Sequence, residues 1–188
     1  MRHAYTTTIE TPRLILRRFE ITDAADMFYN WASDSAVTRY LSWSPHVNPE
    51  ESAGLLQRWV AEYEKPENYH WGIVPKEGRR VFGSIGVVNM SEHDLRCEVG
   101  YCIGRALWGR GLTTEALMAA IWYLFEYTDF NRIQARHDVR NIGSGRVMQK
   151  AGMTCEGTLR QHSLNRSDGT MADMNICAIL RSEYEARI

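Results

Sequence analysis

The segment 98–117 constrains the fold of this chain more than any other part of the sequence. In its first part, large apolar side chains alternate with other residues at the two-residue period of a β-strand; the large ones are Val99, Tyr101 and Ile103. A glycine-containing loop at 109–111 follows, and a run with one apolar helical face begins at Thr113. The segment therefore predicts a strand, a short glycine loop and a helix.

The glycine loop has the properties of an anion-binding site. Gly109 and Gly111 allow the backbone to turn tightly and leave no side chain over its amides. The free N–H groups at a helix start attract anions, helped by the helix dipole, and Arg110 adds a positive charge. We expect a diphosphate here. From these residues alone, a glycine turn that merely joins strand to helix is the favoured interpretation.

Two common phosphate-binding patterns do not fit this loop. The pattern G-x-x-x-x-G-K-[ST] is missing from the sequence, which disfavours an ATPase. Gly109-Arg-Gly111 is followed by Leu-Thr-Thr114, so the dinucleotide-binding pattern G-x-G-x-x-G is missing as well. Another type of diphosphate site is therefore needed.

Four segments, in order and spacing, resemble the GNAT superfamily of N-acetyltransferases. The form is that of the RimJ/RimL-like subgroup, the ribosomal-protein-alanine N-acetyltransferases. The segments are 108–117, 10–17, 141–153 and 156–160 with the later Asp173. The resemblance covers about residues 9–185 and implies a single GNAT-like domain over 1–188.

The composition is that of an ordinary globular protein. At 188 residues, with 44% hydrophobic and 24% charged residues, one domain with a real core is expected. The net charge of −1 argues against direct nucleic-acid binding. Neither a membrane-spanning run nor the apolar core of a signal peptide is visible, so we expect a cytoplasmic protein without a membrane partner.

The cysteines and histidines do not form a recognisable metal site. The chain has four cysteines without a CxxC pair, and its six histidines are scattered. We predict no metal, and we predict buried thiols in strands. The cysteines are Cys97, Cys102, Cys155 and Cys177.

The hydrophobic periodicity predicts the element order βααβββαβαββ. Strands are predicted at 14–19, 71–74, 81–88, 97–103, 132–139, 154–164 and 171–181. Helices are predicted from Thr22 or Asp23, from Asn48, over 113–127, and from Asn141 to about Gly152. This order predicts an α/β (α+β) fold with a mixed, mostly antiparallel twisted sheet and helices on both faces. The resemblance adds that the fourth and fifth strands splay apart to admit the cofactor.

The region 35–47 is predicted to be a loop rich in aromatic residues. Two interpretations stay open: a small cluster covering the core, or a lid over the substrate. Under the second, Tyr40 and Trp43 are candidate substrate-binding residues.

The resemblance implies acetyl-CoA as co-substrate and a set of residues that hold it. The N–H groups around 101–103 would pair with pantetheine, and one would point at the thioester oxygen. Asn141 caps a helix and would also bond pantetheine. The implied cofactor-binding residues are Tyr101, Cys102, Ile103, Trp108, Gly109, Arg110, Gly111, Leu112, Thr113 and Asn141.

Several positions near the cofactor are unusual. Trp108, though normal in the subgroup, stands where the superfamily usually has Gln or Arg, and Thr113 where it usually has Gly or Ala. We expect weaker but intact binding. Gly143 and Gly145 lie in the first turn of a predicted helix, where each destabilises the helix relative to alanine. Two such residues suggest that another group approaches the backbone closely, and our candidate is the cofactor.

Ser144 is the candidate acid that protonates the leaving thiolate. The superfamily often has a tyrosine four residues before the helix-ending glycine, and here that position is Met148. Ser144 lies one turn earlier on the same face, and the subgroup resemblance also indicates it. A capping role for Ser144 is the alternative.

Glu98 is the candidate base. It opens the central strand and shares a face with Gly100 and Cys102. Either it forms an ion pair, for example with Arg96 or Arg132, or it draws a proton from the incoming ammonium. An α-amine is about 10% neutral at pH 7 and a lysine below about 0.1%, so one weak base fits an α-amine better.

Together these features predict an acetyl-CoA-dependent N-acetyltransferase that acts by direct transfer in a ternary complex. The favoured acceptor is a protein N-terminal α-amine. The alternatives are a small amine, such as a polyamine, amino acid or aminoglycoside, and a non-catalytic acyl-CoA sensor that uses 35–47 as a partner surface. A monomer or a homodimer is expected.

Overall fold

Eight strands form one sheet in the computed structural model, which describes residues 1–187. The strands are β1 (Ile9–Glu10), β2 (Leu14–Arg17), β3 (His70–Pro75), β4 (Gly83–Ser91), β5 (Arg96–Ile103), β6 (Arg132–Asp138), β7 (Thr154–Leu164) and β8 (Met171–Leu180). Their order in the sheet is β1-β2-β3-β4-β5-β6-β8-β7. Within the described residues β5 and β6 pair in parallel and the other neighbours pair antiparallel. The predicted mixed, mostly antiparallel sheet is confirmed.

Helices pack on both faces of this sheet. They are α1 (Ala24–Met27), α2 (Ser35–Thr38), α3 (Pro49–Glu62), α4 (Leu112–Tyr127), α5 (Ile142–Lys150) and α6 (Arg181–Glu185). A 3₁₀ turn at Ile21–Asp23 precedes α1, a π-helical segment at Phe28–Ala32 follows it, and Arg105–Leu107 is a second 3₁₀ turn. Three short elements, β1, α2 and α6, add to the predicted order. No helix within residues 1–187 is long and apolar enough to cross a membrane.

The helix caps were predicted with mixed success. Asn48 accepts the N–H of Glu51 at 3.0 Å, and Pro49 starts α3, as predicted. The helix start predicted at Thr22 or Asp23 is confirmed at Asp23, the N-cap residue of α1, but its side chain does not cap that helix and a 3₁₀ turn already begins after Glu20. Asp23 lies inside that turn, where its carboxylate accepts the N–H of Glu20 at 2.8 Å and pairs with Arg17.

The region 35–47 is not wholly a loop. Its first four residues form α2, and the side chain of Asp34 caps this helix by accepting the N–H of Ala36 at 2.9 Å. A helix of one turn has too few residues to show a period in the sequence, so its cap was the only available signal.

Two hydrophobic clusters hold the helices to the sheet. One lies between the sheet and the pair α4 and α5, and it includes Trp71, Ile85, Leu117, Leu124 and Ile133. The other lies on the opposite face under α1 and α3, and it includes Phe19, Trp31, Leu56 and Val74. Burying both faces explains why β3 has so few exposed residues.

β5 and β6 diverge after a short paired stretch. Their register covers 96–98 opposite 132–134, although both strands continue for several residues. The later part of β5 therefore pairs with β4 on one side and faces a gap on the other. The splay that the resemblance implied for these two strands is present.

The prediction of four buried thiols was wrong for two cysteines. Cys155 and Cys177 lie opposite each other on β7 and β8 and form a disulfide. Cys97 and Cys102 are free. The sequence could not show this pairing, because only the register of β7 against β8 brings positions 155 and 177 together.

Candidate active site

Two cavities meet at β5. The loop cavity, of about 470 Å³, lies between β5, the glycine loop and the start of α5. The aromatic cavity, of about 550 Å³, lies on the sheet face that α1 and α3 cover. Four residues line both cavities, namely Tyr40, Leu41, Tyr101 and Cys102. A molecule in one cavity can thus touch a molecule in the other at the gap beside β5.

Most of the predicted cofactor residues line the loop cavity. They are Tyr101, Cys102, Ile103, Trp108, Gly109, Thr113 and Asn141, and the predicted acid Ser144 lines it with them. Arg110, Gly111 and Leu112 are outside this lining. Leu112 is a core residue with 6% exposure, so only its backbone is available to a ligand.

The glycine loop has the backbone conformation of an anion site. Gly109 and Gly111 have φ angles of 74° and 76°, in the left-handed region that favours glycine. Gly111 directly precedes α4 and has no side chain to cap it. The first N–H groups of α4 have no acceptor within the helix, so they are free to bind an anion.

Arg13 is a second cation at this loop, and its role was not predicted from the sequence. Its guanidinium donates to the carbonyl of Arg110 at 2.9 Å and pairs with Glu115 at 2.6 Å. A Cβ on Gly111 would lie 3.6 Å from its Nη2. Burial would raise the pKa of Glu115, but hydrogen bonds from Thr11 and Arg13 lower it overall. Arg13 belongs to the segment 10–17, whose resemblance to the family was the available signal.

The free edge of β5 carries backbone amides that point outward from the strand into the gap. The N–H of Gly104 donates to the carbonyl of Phe82 beside β4 at 2.7 Å. Because N–H groups alternate along a strand, those of Ile103 and Tyr101 point the other way, toward the gap. The carbonyl of Ile103 accepts the indole N–H of Trp108 at 2.8 Å, which fixes the loop to the strand.

The start of α5 corrects one sequence interpretation. Asn141 caps the helix by accepting the N–H of Ser144 at 3.2 Å. A Cβ on Gly145 would lie 2.9 Å from the ring of His137, so this glycine accommodates a side chain of the protein. Gly143 does line the loop cavity. The cofactor therefore explains at most one of the two glycines.

The hydroxyl of Ser144 lies at hydrogen-bond distance from the hydroxyl of Tyr101. The hydroxyls of Tyr101 and Ser144 lie 3.0 Å apart, and that of Tyr101 is also 3.2 Å from the carbonyl of Ser144. Burial raises the pKa of Tyr101, against a smaller lowering by Ser144. Tyr101 thus keeps its proton. From the sequence, only the backbone of Tyr101 was expected to act, since nothing in the sequence places β5 beside α5.

Glu98 lies in the wall of the aromatic cavity with 8% exposure. Its carboxylate pairs with Arg136 at 2.8 Å and accepts from Gln134 at 3.1 Å. The suggested partners Arg96 and Arg132 were wrong, because they bind Asp94 and Glu156 instead. Gln134 lies opposite Glu98 in the register, and Arg136 follows on the same face of β6.

Glycines and an uncharged histidine form the floor of the aromatic cavity. His70, Gly86 and Gly100 lie opposite one another on three neighbouring strands. A Cβ on Gly86 would lie 2.6 Å from the carbonyl of Tyr69, so the strands approach too closely for a side chain. Burial lowers the pKa of His70 to about 4, and its ring lies 4.0 Å from that of Trp59. Two of these three positions therefore carry no side chain, and the third is uncharged.

Tyr40 and Trp43 line the aromatic cavity, and Tyr40 also lines the loop cavity. The carbonyl of Arg39 accepts the amide of Asn165 at 3.1 Å, which ties this segment to the turn between β7 and β8. The segment thus covers the place where the cavities meet. Whether it acts as a lid stays a prediction. Within residues 1–187 no group of three or more His, Cys, Asp or Glu residues is arranged to hold a metal ion.

Comparisons with known proteins agree with this architecture. Residues 13–154 match the acetyltransferase (GNAT) domain family. The uncharacterized N-acetyltransferase YoaA of Bacillus subtilis (strain 168) is 31% identical over 173 residues, which cover 92% of this chain and 96% of the relative. The [ribosomal protein uS5]-alanine N-acetyltransferase of Escherichia coli (strain K12) is 24% identical over 182 residues, covering 94% and 92%.

Among solved structures, RimL, a ribosomal L7/L12 α-N-protein acetyltransferase in complex with coenzyme A, superposes with a TM-score of 0.82. It is 18% identical, and the match covers 94% of this chain and 99% of that one. At this identity the likeness shows the fold.

Proposed function

The chain belongs to the GNAT acetyltransferase family, and we propose that it moves an acetyl group from acetyl-CoA to the α-amine of a protein N-terminus. The observation that carries the proposal is the meeting of two cavities at β5, at Tyr40, Leu41, Tyr101 and Cys102. One cavity has a diphosphate-type loop and the other is open to a second molecule. This arrangement supports direct transfer in a ternary complex.

The loop cavity fits the diphosphate and pantetheine parts of acetyl-CoA. The uncapped start of α4 offers N–H groups to the phosphates, and Arg13 and Arg110 add positive charge. The outward N–H groups of Tyr101 and Ile103 can pair with the amides of pantetheine, and one of them can donate to the thioester oxygen. The coenzyme A bound to the RimL relative supports this assignment.

Glu98 is our candidate for handling the proton of the acceptor amine. It lies in the aromatic cavity on the same strand as the junction, and Arg136 and Gln134 fix its orientation. A weak base suffices for an α-amine with a pKa of about 8, whereas a lysine near 10.4 costs about 3 kcal/mol more.

Ser144 is our candidate for returning a proton to the thiolate. Its hydroxyl lines the loop cavity, while Met148, which cannot donate a proton, is buried with 1% exposure. Tyr101 lies at hydrogen-bond distance from Ser144, so it can orient that hydroxyl. The proposal makes Ser144 the donor and Tyr101 its positioning partner.

The acceptor is the part of the proposal that rests most on relatives. The Escherichia coli relative is named for the alanine of ribosomal protein uS5, and RimL for ribosomal L7/L12. Both are distant, so a small amine remains the alternative acceptor. A cytoplasmic location, and a monomeric or homodimeric state without nucleic acid, complete the proposal.

Release of free thiol from acetyl-CoA tests the acceptor. The substrates are an Ala-initiated peptide, an N-blocked peptide with one lysine, and a polyamine, each measured from pH 6 to 9. We expect the highest kcat/KM with the Ala-initiated peptide. Faster turnover of the blocked lysine peptide or of the polyamine would contradict an N-terminal acceptor.

A further inference from the structure

Two N–H donors in the wall of the aromatic cavity have no hydrogen-bond partner among residues 1–187. They are the indole Nε1 of Trp31 and the amide Nδ2 of Asn68, and both atoms are buried. A buried donor without an acceptor is costly, and each instance in a native protein calls for an explanation. Two other tryptophans have a partner: Trp71 donates to the carbonyl of Thr7 and Trp108 to that of Ile103, each at 2.8 Å.

The backbone at Trp31 is also unusual. It belongs to the π-helical segment Phe28–Ala32. This geometry is rare in proteins, and where it does occur it is often at a functional site. Asn30 anchors the segment by donating to the carbonyl of Val81 at 2.7 Å. Trp31 is fully buried, so solvent does not compete for its N–H.

Trp31 belongs to the region where the two cavities join. It packs in the cluster that Leu41 and Cys102 contact, and these two residues line both cavities. Asn68 precedes β3, two residues before His70 in the floor of the aromatic cavity. The two unpaired donors thus lie in different parts of the same cavity.

We propose that the acceptor amine carries hydrogen-bond-accepting oxygens, and that Trp31 and Asn68 receive them. Trp31 takes the carbonyl oxygen on the carbon next to the one that bears the amine, and Asn68 takes an oxygen further along. This inference rests on the proposed acetyl transfer at the same site. A protonated polyamine offers only donors, so it leaves both groups unpaired, whereas a peptide offers a carbonyl at every residue.

The test compares oxygen with sulfur at the first carbonyl. Alaninamide and an Ala-initiated tripeptide are each prepared with a normal and a thioamide first carbonyl, because sulfur is the poorer acceptor at nearly the same geometry. In the wild type we expect kcat/KM to fall about tenfold on this exchange. In Trp31→Phe the oxygen substrate should lose about tenfold and the two forms should then agree within about twofold. Equal losses for both forms, or no loss, would overturn the role of Trp31.

Trp71→Phe is the matched control, because Trp71 is equally buried but its N–H is paired outside both cavities. It should lower the melting temperature and leave the preference for oxygen intact. Trp31→Phe should abolish the preference for oxygen and lower the melting temperature less than Trp71→Phe does, since both variants lose buried volume but only Trp71 loses a hydrogen bond of the free protein. A larger loss of melting temperature in Trp31→Phe than in Trp71→Phe would overturn the inference.

Asn68→Ala tests the second donor. It should lower kcat/KM for the tripeptide about tenfold and leave alaninamide unchanged. Equal effects on both substrates would remove Asn68 from recognition.

The small substrate separates this inference from the proposed N-terminal function. If alaninamide shows the oxygen effect while no peptide is acetylated, the inference on Trp31 stands and the peptide acceptor is wrong. If peptides are acetylated with no oxygen effect, the proposed function stands and the inference is wrong. If neither compound is acetylated, both are wrong.

Discussion

The two cavities that meet at β5 are built from different kinds of chemical group, namely backbone N–H groups in one and side chains in the other. The loop cavity uses backbone N–H groups at a glycine loop and at two helix starts, and much of its lining comes from 101–113 and 140–147. The aromatic cavity uses side chains from strands and helices far apart in the chain. A backbone site is encoded by a local motif, whereas a side-chain site depends on how distant elements pack. Four variants test this contrast, from the largest expected effect to the smallest, and three of them are compared with a second variant.

Glu98→Gln should have the largest effect, because it removes a charge from the aromatic cavity without changing shape. We expect kcat/KM at pH 7 to fall about 100-fold, at the low end for general base catalysis, because an α-amine is already partly neutral. Raising the pH to 9 should recover much of the loss. The measurement is a pH–rate profile with an Ala-initiated peptide.

Glu156→Gln is the matched control for Glu98→Gln. Glu156 also pairs with an arginine of β6, Arg132, but it lies outside both cavities. Its activity should equal that of the wild type. Equal rates for Glu98→Gln and wild type over pH 6–9 would remove Glu98 from the mechanism.

His70 should make stability depend on pH. Burial lowers its pKa to about 4 from the ordinary 6.5, so the unfolded chain binds the proton more readily than the folded one. The free energy of unfolding is then highest above pH 6.5 and falls as the pH decreases toward 4, by roughly 3 kcal/mol. Urea unfolding at several pH values should show a flatter curve for His70→Gln. Identical pH dependence in the two proteins would contradict a buried neutral His70.

Gly111→Val should weaken acetyl-CoA binding at least tenfold in calorimetry. It forces a β-branched residue into a left-handed conformation at the start of α4, beside Arg13. Gly78→Val is the matched control, because Gly78 also has a positive φ but lies in the turn between β3 and β4, outside both cavities. Both variants should lose stability, and only Gly111→Val should lose affinity. Unchanged affinity in a folded Gly111→Val protein would contradict the diphosphate site.

Ser144→Ala should have the smallest effect, a decrease in kcat of about fivefold with little change in acetyl-CoA affinity, because water can replace one hydroxyl donor. Tyr101→Phe keeps Ser144 but removes its partner at 3.0 Å, so its kcat should fall less. Single-turnover kinetics separate the chemical step from product release. A chemical step within twofold of wild type in Ser144→Ala would show that Ser144 is not the acid.

The sequence predicted the loop cavity far better than the aromatic cavity. The glycine loop, the cap at Asn141 and the strand at 97–103 are local features, and the structure shows each of them. The partner of Glu98 was missed, because Arg136 is on a strand 38 residues away in the chain. Arg13 was missed for the same reason, since it reaches the loop from the first part of the sheet.

The sequence by itself determined the family, the order of the main elements and the glycine loop, because hydrophobic period, caps and glycine positions act over a few neighbouring residues. Only the tertiary structure decided that Cys155 meets Cys177, that Tyr101 meets Ser144, and that Trp31 lines a cavity with its N–H unpaired. These facts depend on strand register and on the packing of helices across the sheet. Such long-range contacts are set by the sum of many burial energies, and no local pattern in the chain records them.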